Sequence, residues 1–346
     1  MQHGVTFGAL ALRPDGGGVS TYIRNLLQAF GDAQAPMTAI VQRDAVGELP
    51  TRVRPATQRP SSGVMRALAG LRPPAVYDLF HGLDVDLPMR PSAPMVTTVH
   101  DLSVFDVPWA DGRLRAWGER LLIRRAVTLA DAVIADSPFT ATRIFELFGR
   151  DAVVAPLAPD PLMTPSTTED IAEVRSRYGL PETFVLQVGT IEPRKDVATL
   201  ATACASLSVP LVLAGSVMRG STAPPGSTAL GYVPRRDLPA LYAAATVVAY
   251  LSVYEGFGLP PVEAMACGAP VVATRVASLG EVLGDGAELV PLRDVDAVRR
   301  VLGELLADGP RREELRARGL RRVSGMSWAS TASVTRGVYE GLGVTM

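Results

Sequence analysis

Thirty-three arginines and a single lysine supply the positive side chains of this chain, and the lysine stands beside Arg194 in Gly189-Thr190-Ile191-Glu192-Pro193-Arg194-Lys195-Asp196. Lysine is a compact point charge suited to phosphate oxygens, whereas arginine offers a planar fork. Side by side after an apolar run, the two suit an anion with several oxygens, such as a diphosphate. The plainer alternative is a surface turn on which the one lysine falls. A second dense segment runs Tyr254-Glu255-Gly256-Phe257-Gly258-Leu259-Pro260-Pro261-Val262-Glu263, then Ala264-Met265-Ala266-Cys267-Gly268. Gly256 and Gly258 would let a ligand approach the backbone closely. Pro260 and Pro261 suit a first helical turn, whose unpaired N–H groups favour an anion. Glu255 and Glu263 would sit at a strand end and about one turn into the helix, where carboxylates can accept hydrogen bonds from sugar hydroxyls. Alone, each would also serve as a solvated helix-end charge. An acid–base pair of glycoside-hydrolase type ranks low, because two glutamates on adjacent turns of one element rarely face each other across a scissile bond.

The chain has three histidines. His3 is terminal. His81 and His100 follow the apolar runs 76–80 and 94–99, which places both at strand carboxyl ends. Gly16-Gly17-Gly18 precedes a helical pattern and reads either as a phosphate-binding turn or as a plain flexible loop. Ser137 follows the run 132–135 and is a good helix N-cap. Arg113, Arg115, Arg120, Arg124 and Arg125, with Trp109 and Trp117 nearby, form a basic stretch. It reads either as a solvated helix face or as a contact for an anionic membrane or a lipid-phosphate acceptor.

Elements that could position these groups recur along the whole chain. Short β-branched runs at 5–10, 75–80, 94–99, 132–135 and 153–155 alternate with helical patterns at 19–30, 113–129 and 139–148. A second series has strands at 183–188, 210–214, 246–250, 270–273 and 288–290, with helices at 197–207 and 238–244. Such alternation predicts parallel sheets covered on both faces. The series breaks at residues 156–168, which hold four prolines in thirteen positions and read as a linker. Residues 43–75 are rich in arginine and proline and are expected to be a loop-rich connection. The expected fold is therefore α/β, with two doubly wound, Rossmann-like parallel-sheet domains facing each other across a cleft.

Composition bounds the rest. The length of 346 residues suits two domains, 47% apolar residues allow a sizeable core, and a net charge of −1 points away from nucleic acid. Cys204 and Cys267 have no metal-type spacing and read as buried free thiols. No signal peptide is apparent at the N-terminus, and the uncharged stretch 238–254 is too short to span a membrane. The expectation is a soluble cytoplasmic chain, with peripheral contact at the inner face of the membrane left open.

Taken together, the Glu-x7-Glu stretch, the Val-Gly-Thr-Ile-Glu-Pro-Arg-Lys element and Gly231-Tyr232-Val233-Pro234 followed by Leu238-Pro239-Ala240-Leu241-Tyr242 resemble the family-4 retaining glycosyltransferases of GT-B fold. The resemblance covers essentially the whole chain and is strongest from about 183 to 292. It implies an acceptor-binding domain over 1–160, rejoined by a C-terminal helix at 327–346, and a nucleotide-sugar-binding domain over 169–326. It implies that Arg194 and Lys195 grip the diphosphate, that Glu263 bonds the ribose and Glu255 the donor sugar, and that Tyr232 and Val233 lie by the base. Gly189, Thr190 and the backbone of Gly256, Phe257, Gly258 and Leu259 would line the donor, with Gly17 and Gly18 near its phosphate. His100 would contact the donor sugar. His81, Asp101 and Ser137 are acceptor-side candidates. Many family members carry a basic residue where this chain has Thr190, so Arg194 would supply the second positive charge.

The reaction expected is transfer of a hexose from a nucleotide-diphosphate sugar, with GDP-mannose the first choice, to a hydroxyl of a glycan, glycolipid or small molecule. His100, Glu255, Arg194 and Lys195 would be the catalytic residues, and the resemblance implies neither metal nor cofactor. A nucleotide-sugar epimerase or phosphorylase on the same fold, and an inactive nucleotide-sugar-binding protein, are the alternatives. A dinucleotide-dependent oxidoreductase ranks last because no Gly-x-Gly-x-x-Gly follows the first strand.

Overall fold

The computed structural model describes residues 4–71, 77–89, 91–110 and 113–346, with backbone alone at 63, 64, 67 and 113–115. The chain divides into two compact units, Met1–Leu157 with Ser327–Met346, and Ala158–Met326.

In the first unit, strands β1 (Val5–Gly8), β2 (Met37–Gln42), β3 (Val53–Gln58), β4 (Leu79–Gly82), β5 (Met95–Val99), β6 (Ala132–Ala135) and β7 (Val153–Val154) form one sheet in the order β3-β2-β1-β4-β5-β6-β7. In the second, β8 (Val185–Val188), β9 (Leu211–Ala214), β10 (Ser227–Gly231), β11 (Val247–Tyr250), β12 (Val271–Thr274) and β13 (Glu288–Val290) are ordered β10-β9-β8-β11-β12-β13. Every strand pairing is parallel. Strands β9, β11 and β12 are buried along their whole length, as expected where helices cover both faces of a parallel sheet. The doubly wound α/β architecture predicted from the alternation is the one observed.

In both sheets the strand order reverses once, between β1 and β4 and between β8 and β11. Loops leaving the carboxyl ends of such a strand pair diverge and leave a crevice. In the second unit, those loops carry Arg194-Lys195 and Glu255.

The final helix, Trp328–Gly341, belongs to the first unit, where it lies against helix Gly18–Ala29. Ser327 caps it, Thr331 donates to the Pro156 carbonyl at 2.6 Å, and Tyr339 is fully buried. The Tyr339 hydroxyl lies 2.6 Å from His81 Nδ1, and His81 Nε2 lies 2.8 Å from Thr98 Oγ1. Thr98 in turn meets the Tyr22 hydroxyl at 2.8 Å.

The structure departs from the sequence reading in three places. Residues 43–75 are not a plain loop: they hold a 3₁₀ turn, Arg43–Glu48, then β3 and helix Gly63–Gly70, while 72–76 lie outside the described residues. Strand β3 reads Val-Arg-Pro-Ala-Thr-Gln and is mostly exposed; it is an edge strand, where a proline and polar side chains are tolerated. Strands β2 and β10 were not expected, and β10 is likewise an exposed edge. The strand expected at 75–80 is Leu79–Gly82, so His81 lies within it and not beyond its end.

Tyr339→Phe would leave a buried histidine nitrogen without its partner. We expect a loss of about 1–3 kcal/mol in urea unfolding; an unchanged midpoint would show that this contact does not hold the helix.

Candidate active site

The site of the second unit is built from the two loops at the strand reversal. After β8 the chain passes Gly189 and a 3₁₀ turn, Pro193–Lys195, then enters helix Val197–Ser206 through Asp196 in the left-handed conformation. A Cβ on Gly215, which follows β9, would stand 2.1 Å from the Gly189 carbonyl oxygen, so the chain leaving β8 can pass this close to β9 only because residue 215 is glycine. The other loop follows β11. There Gly258, at φ 94°, ends the turn before helix Leu259–Ala266, and a Cβ on it would strike Leu279 at 2.4 Å.

These loops bring Lys195, Arg194 and Glu255 together. Lys195 Nζ donates to Glu255 Oε1 at 2.5 Å and to the Tyr250 hydroxyl at 2.5 Å, and lies 4.7 Å from the centre of the Tyr250 ring. The same carboxylate oxygen also accepts from Ser252 Oγ at 2.6 Å, from the Tyr250 hydroxyl at 3.1 Å and from Arg194 Nη1 at 3.2 Å. Arg194 also donates to the Tyr254 carbonyl at 2.9 Å and pairs with Glu192 at 2.9 Å. Burial pushes the Glu255 carboxyl up, but Lys195 and Arg194 more than reverse this and bring it down to about 2. Burial lowers Lys195, and Glu255 opposes that shift. The cluster therefore pairs two cations with two carboxylates in a largely dry setting.

Glu263 belongs to a different cluster. It sits in the helix with Tyr242 close by, and faces Asp160, which forms an ion pair with Arg235. Burial and the Asp160 carboxylate push Glu263 up to about 8, with Arg235 pulling the other way. Two glutamates eight positions apart are thus held in opposite charge tendencies. Phe257, Leu259 and Val233 are buried, while Tyr232 and Thr190 are exposed.

In the first unit, Gly17 and Gly18 lie exposed at the start of helix Gly18–Ala29, and a Cβ on Gly17 would meet nothing within 4 Å. His100 follows β5, with Nδ1 2.7 Å from Asp136 Oδ2 and Nε2 2.9 Å from the Leu83 carbonyl oxygen. His81, expected on the acceptor side, is a core residue: it is fully buried, both ring nitrogens have protein partners, and burial brings it down to about 3. Asp101 accepts from the Ser103 amide at 3.0 Å and hydroxyl at 2.8 Å, which opens the short helix Ser103–Asp106. Ser137 caps helix Pro138–Phe148 through the Thr140 amide.

The basic stretch is divided in its roles. Arg120 donates to the Val104 carbonyl and Arg125 to those of Leu87 and Pro88, so both serve packing. Arg124 is exposed, as are Trp117 and Leu121 on the same helix, Arg113–Leu129, and Met65 and Leu68 on the neighbouring helix Gly63–Gly70. The side chains of Arg113 and Arg115, like all of His3, lie outside the described residues.

Sequence reasoning missed Tyr250, Ser252, Asp136, Asp160 and Arg235. Tyr250 reads as strand core, Ser252 as filler and Asp160 as linker. Asp136 alone carried a signal, since it directly follows a strand, as His100 does. Among the described residues no group of three or more His, Cys, Asp or Glu could hold a metal ion.

Residues 170–322 match the family described as Glycosyl transferases group 1. O-antigen chain mannosyltransferase B of Escherichia coli is 34% identical over 282 residues, covering 76% of this chain and 74% of that protein. Sucrose-phosphate synthase from Thermosynechococcus elongatus superposes with a TM-score of 0.79 at 22% identity, covering 98% of each chain. Anabaena HepE, solved in complex with UDP and glucose, superposes with a TM-score of 0.77 at 20% identity, covering 99% of this chain and all of that one. These neighbours have the GT-B fold.

The upward shift of Glu263 has a stability consequence. The folded state holds this proton up to about pH 8, whereas an unfolded glutamate releases it near 4.5. The protein therefore loses stability as pH rises through that window. Glu263→Gln should flatten the decline in Tm between pH 5 and 8 relative to wild type; parallel curves would refute the shift.

Proposed function

This chain belongs to the group 1 glycosyl transferases, and on that premise we propose that it moves a hexose from a nucleotide-diphosphate sugar to a hydroxyl of a glycan, glycolipid or small molecule, with retention of the anomeric configuration. The observation that carries the proposal is the convergence of Arg194, Lys195 and Glu255 at the reversal between β8 and β11. The barrier lies in departure of the diphosphate and in the oxocarbenium-like charge left on the sugar. Fixed cations aimed at the leaving oxygens lower it by electrostatic stabilisation. In this reading a diphosphate oxygen replaces Glu192 at Arg194, and Lys195 keeps its link to Glu255, which then orients the sugar hydroxyls. Glu263 bonds the ribose, and the buried backbone from Gly256 to Leu259 lines the donor. Tyr232 and Val233 flank the base. The proposal assigns no metal or cofactor, because the two side-chain cations take up the charge of the leaving group. GDP-mannose remains the first choice of donor, supported by the mannosyltransferase relative. The acceptor role falls to the first unit.

Lys195→Ala should abolish the thermal stabilisation by GDP and lower sugar transfer from GDP-mannose at least about 100-fold, with the far-UV circular dichroism spectrum retained. Near-normal turnover would remove the diphosphate assignment.

Peripheral contact with the inner face of a membrane is part of the same proposal, with apolar side chains as its main agents. No helix among the described residues is long and apolar enough to cross a membrane. The exposed Trp117 and Leu121, with Arg124 on the same helix, support docking on an anionic bilayer. Replacing Trp117 and Leu121 with serine should reduce pelleting with phosphatidylglycerol vesicles. Equal pelleting of wild type and variant would end the idea.

A further inference from the structure

His100 has both ring nitrogens engaged, and its two partners differ in what they leave open. The Leu83 carbonyl oxygen can only accept, so the 2.9 Å contact requires a proton on Nε2. That leaves Nδ1 facing Asp136 Oδ2 at 2.7 Å, and the proton between them belongs either to the nitrogen or to the carboxyl. An ordinary histidine binds this proton more strongly than an ordinary aspartate. The surroundings reinforce that order. Asp84 follows β4 and is tied to Arg66 at 3.2 Å, and Asp101 adjoins His100 and is occupied by Ser103. Both add negative potential to the pocket. His81, the other titratable ring facing it, is fully buried and held neutral between Thr98 and Tyr339. The Tyr22 ring packs on the imidazole at 4.7 Å, close to perpendicular at 72°, and its hydroxyl is turned away onto Thr98. The ring is thus gripped at two atoms and on one face.

We propose that Asp136 is a positioning residue that keeps His100 an immobile, doubly protonated imidazolium, so that His100 serves sugar transfer as a fixed positive charge and not as a proton acceptor. The inference rests on the glycosyltransferase reading for its effect on rate, while the state of the ring stands on its contacts and on the charges around it. Burial pulls His100 down, but Asp136, by charge and hydrogen bond, raises it to about 9. Burial raises Asp136 and the histidine cation opposes that rise. Asp136 Oδ1 is buried with no hydrogen-bond partner among the described residues. The carboxylate therefore directs its one bond at the ring, and losing the imidazolium would strand it.

The test is long-range proton–nitrogen NMR on protein labelled in its histidine rings, with His100 identified by the signals lost in His100→Asn. In wild type both His100 nitrogens should be protonated at pH 7.5, and the ring should titrate near 9. In Asp136→Asn the ring should be neutral at pH 7.5 with its proton on Nε2, while the neutral His81 signals stay in place as the folding control. A wild-type ring that titrates at or below about 6.5, or an Asp136→Asn titration that does not move, overturns the proposal. The wild-type titration decides the matter even if the variant fails to fold. In parallel, release of GDP from GDP-mannose should fall as pH rises through about 9. That alkaline limb should move at least about one pH unit lower in Asp136→Asn and return in Asp136→Glu. A protein that releases no GDP at any pH refutes the donor assignment, and the ring titration still gives its answer.

Discussion

The second unit is organised around one carboxylate oxygen. Glu255 Oε1 receives Lys195, Ser252, Tyr250 and Arg194, and so ties the loop after β8 to the loop after β11. A buried ion pair of this kind is a poor stability device, because removing two charges from water costs about as much as their attraction returns. Its value is placement. Lys195 is held by a carboxylate, a phenol and an aromatic face, so its ammonium group has one position. Arg194 shares the Glu255 oxygen and also reaches the Tyr254 carbonyl and Glu192.

The helix that follows the loop after β11 carries a second carboxyl in a contrary environment. Glu263 faces Asp160 and only the partial compensation of Arg235, so burial dominates and the proton is retained to about pH 8. Glu255 faces two cations and is ionised down to about pH 2. Two residues of one type, one helix turn and one glycine turn apart, thus differ in hydrogen-bonding character. The ionised one can only accept, while the protonated one can also donate. Asp160, which sets the second environment, comes from the proline-rich segment, so that segment is anchored to the sheet unit that follows it.

The first unit repeats this contrast with histidines. His81 lies within β4 and His100 follows the adjacent β5, yet one is a neutral core residue and the other has a carboxylate bonded to its ring. Burial is common to both. The difference is the partner: hydroxyl groups of Tyr339 and Thr98 for His81, and Asp136 for His100.

The alternation of apolar runs and amphipathic helices was enough to specify two doubly wound sheets, because strands buried on both faces must be continuously apolar and their crossovers must be helical. The Arg-Lys pair and the glutamate-bracketed glycine turn were also legible, since glycines with positive φ and close backbone contacts leave a residue-type signature. Edge strands β3 and β10 were not legible, because an exposed edge demands no apolar pattern. The partners that decide charge were hidden as well. Asp160 lies about 100 residues from Glu263, Lys195 lies 60 from Glu255, and Asp136 lies 36 from His100. Residue type fixed which atoms could ionise or donate. Whether each one does depends on burial and on neighbours brought close only when the sheets assemble, and that was settled by the tertiary structure.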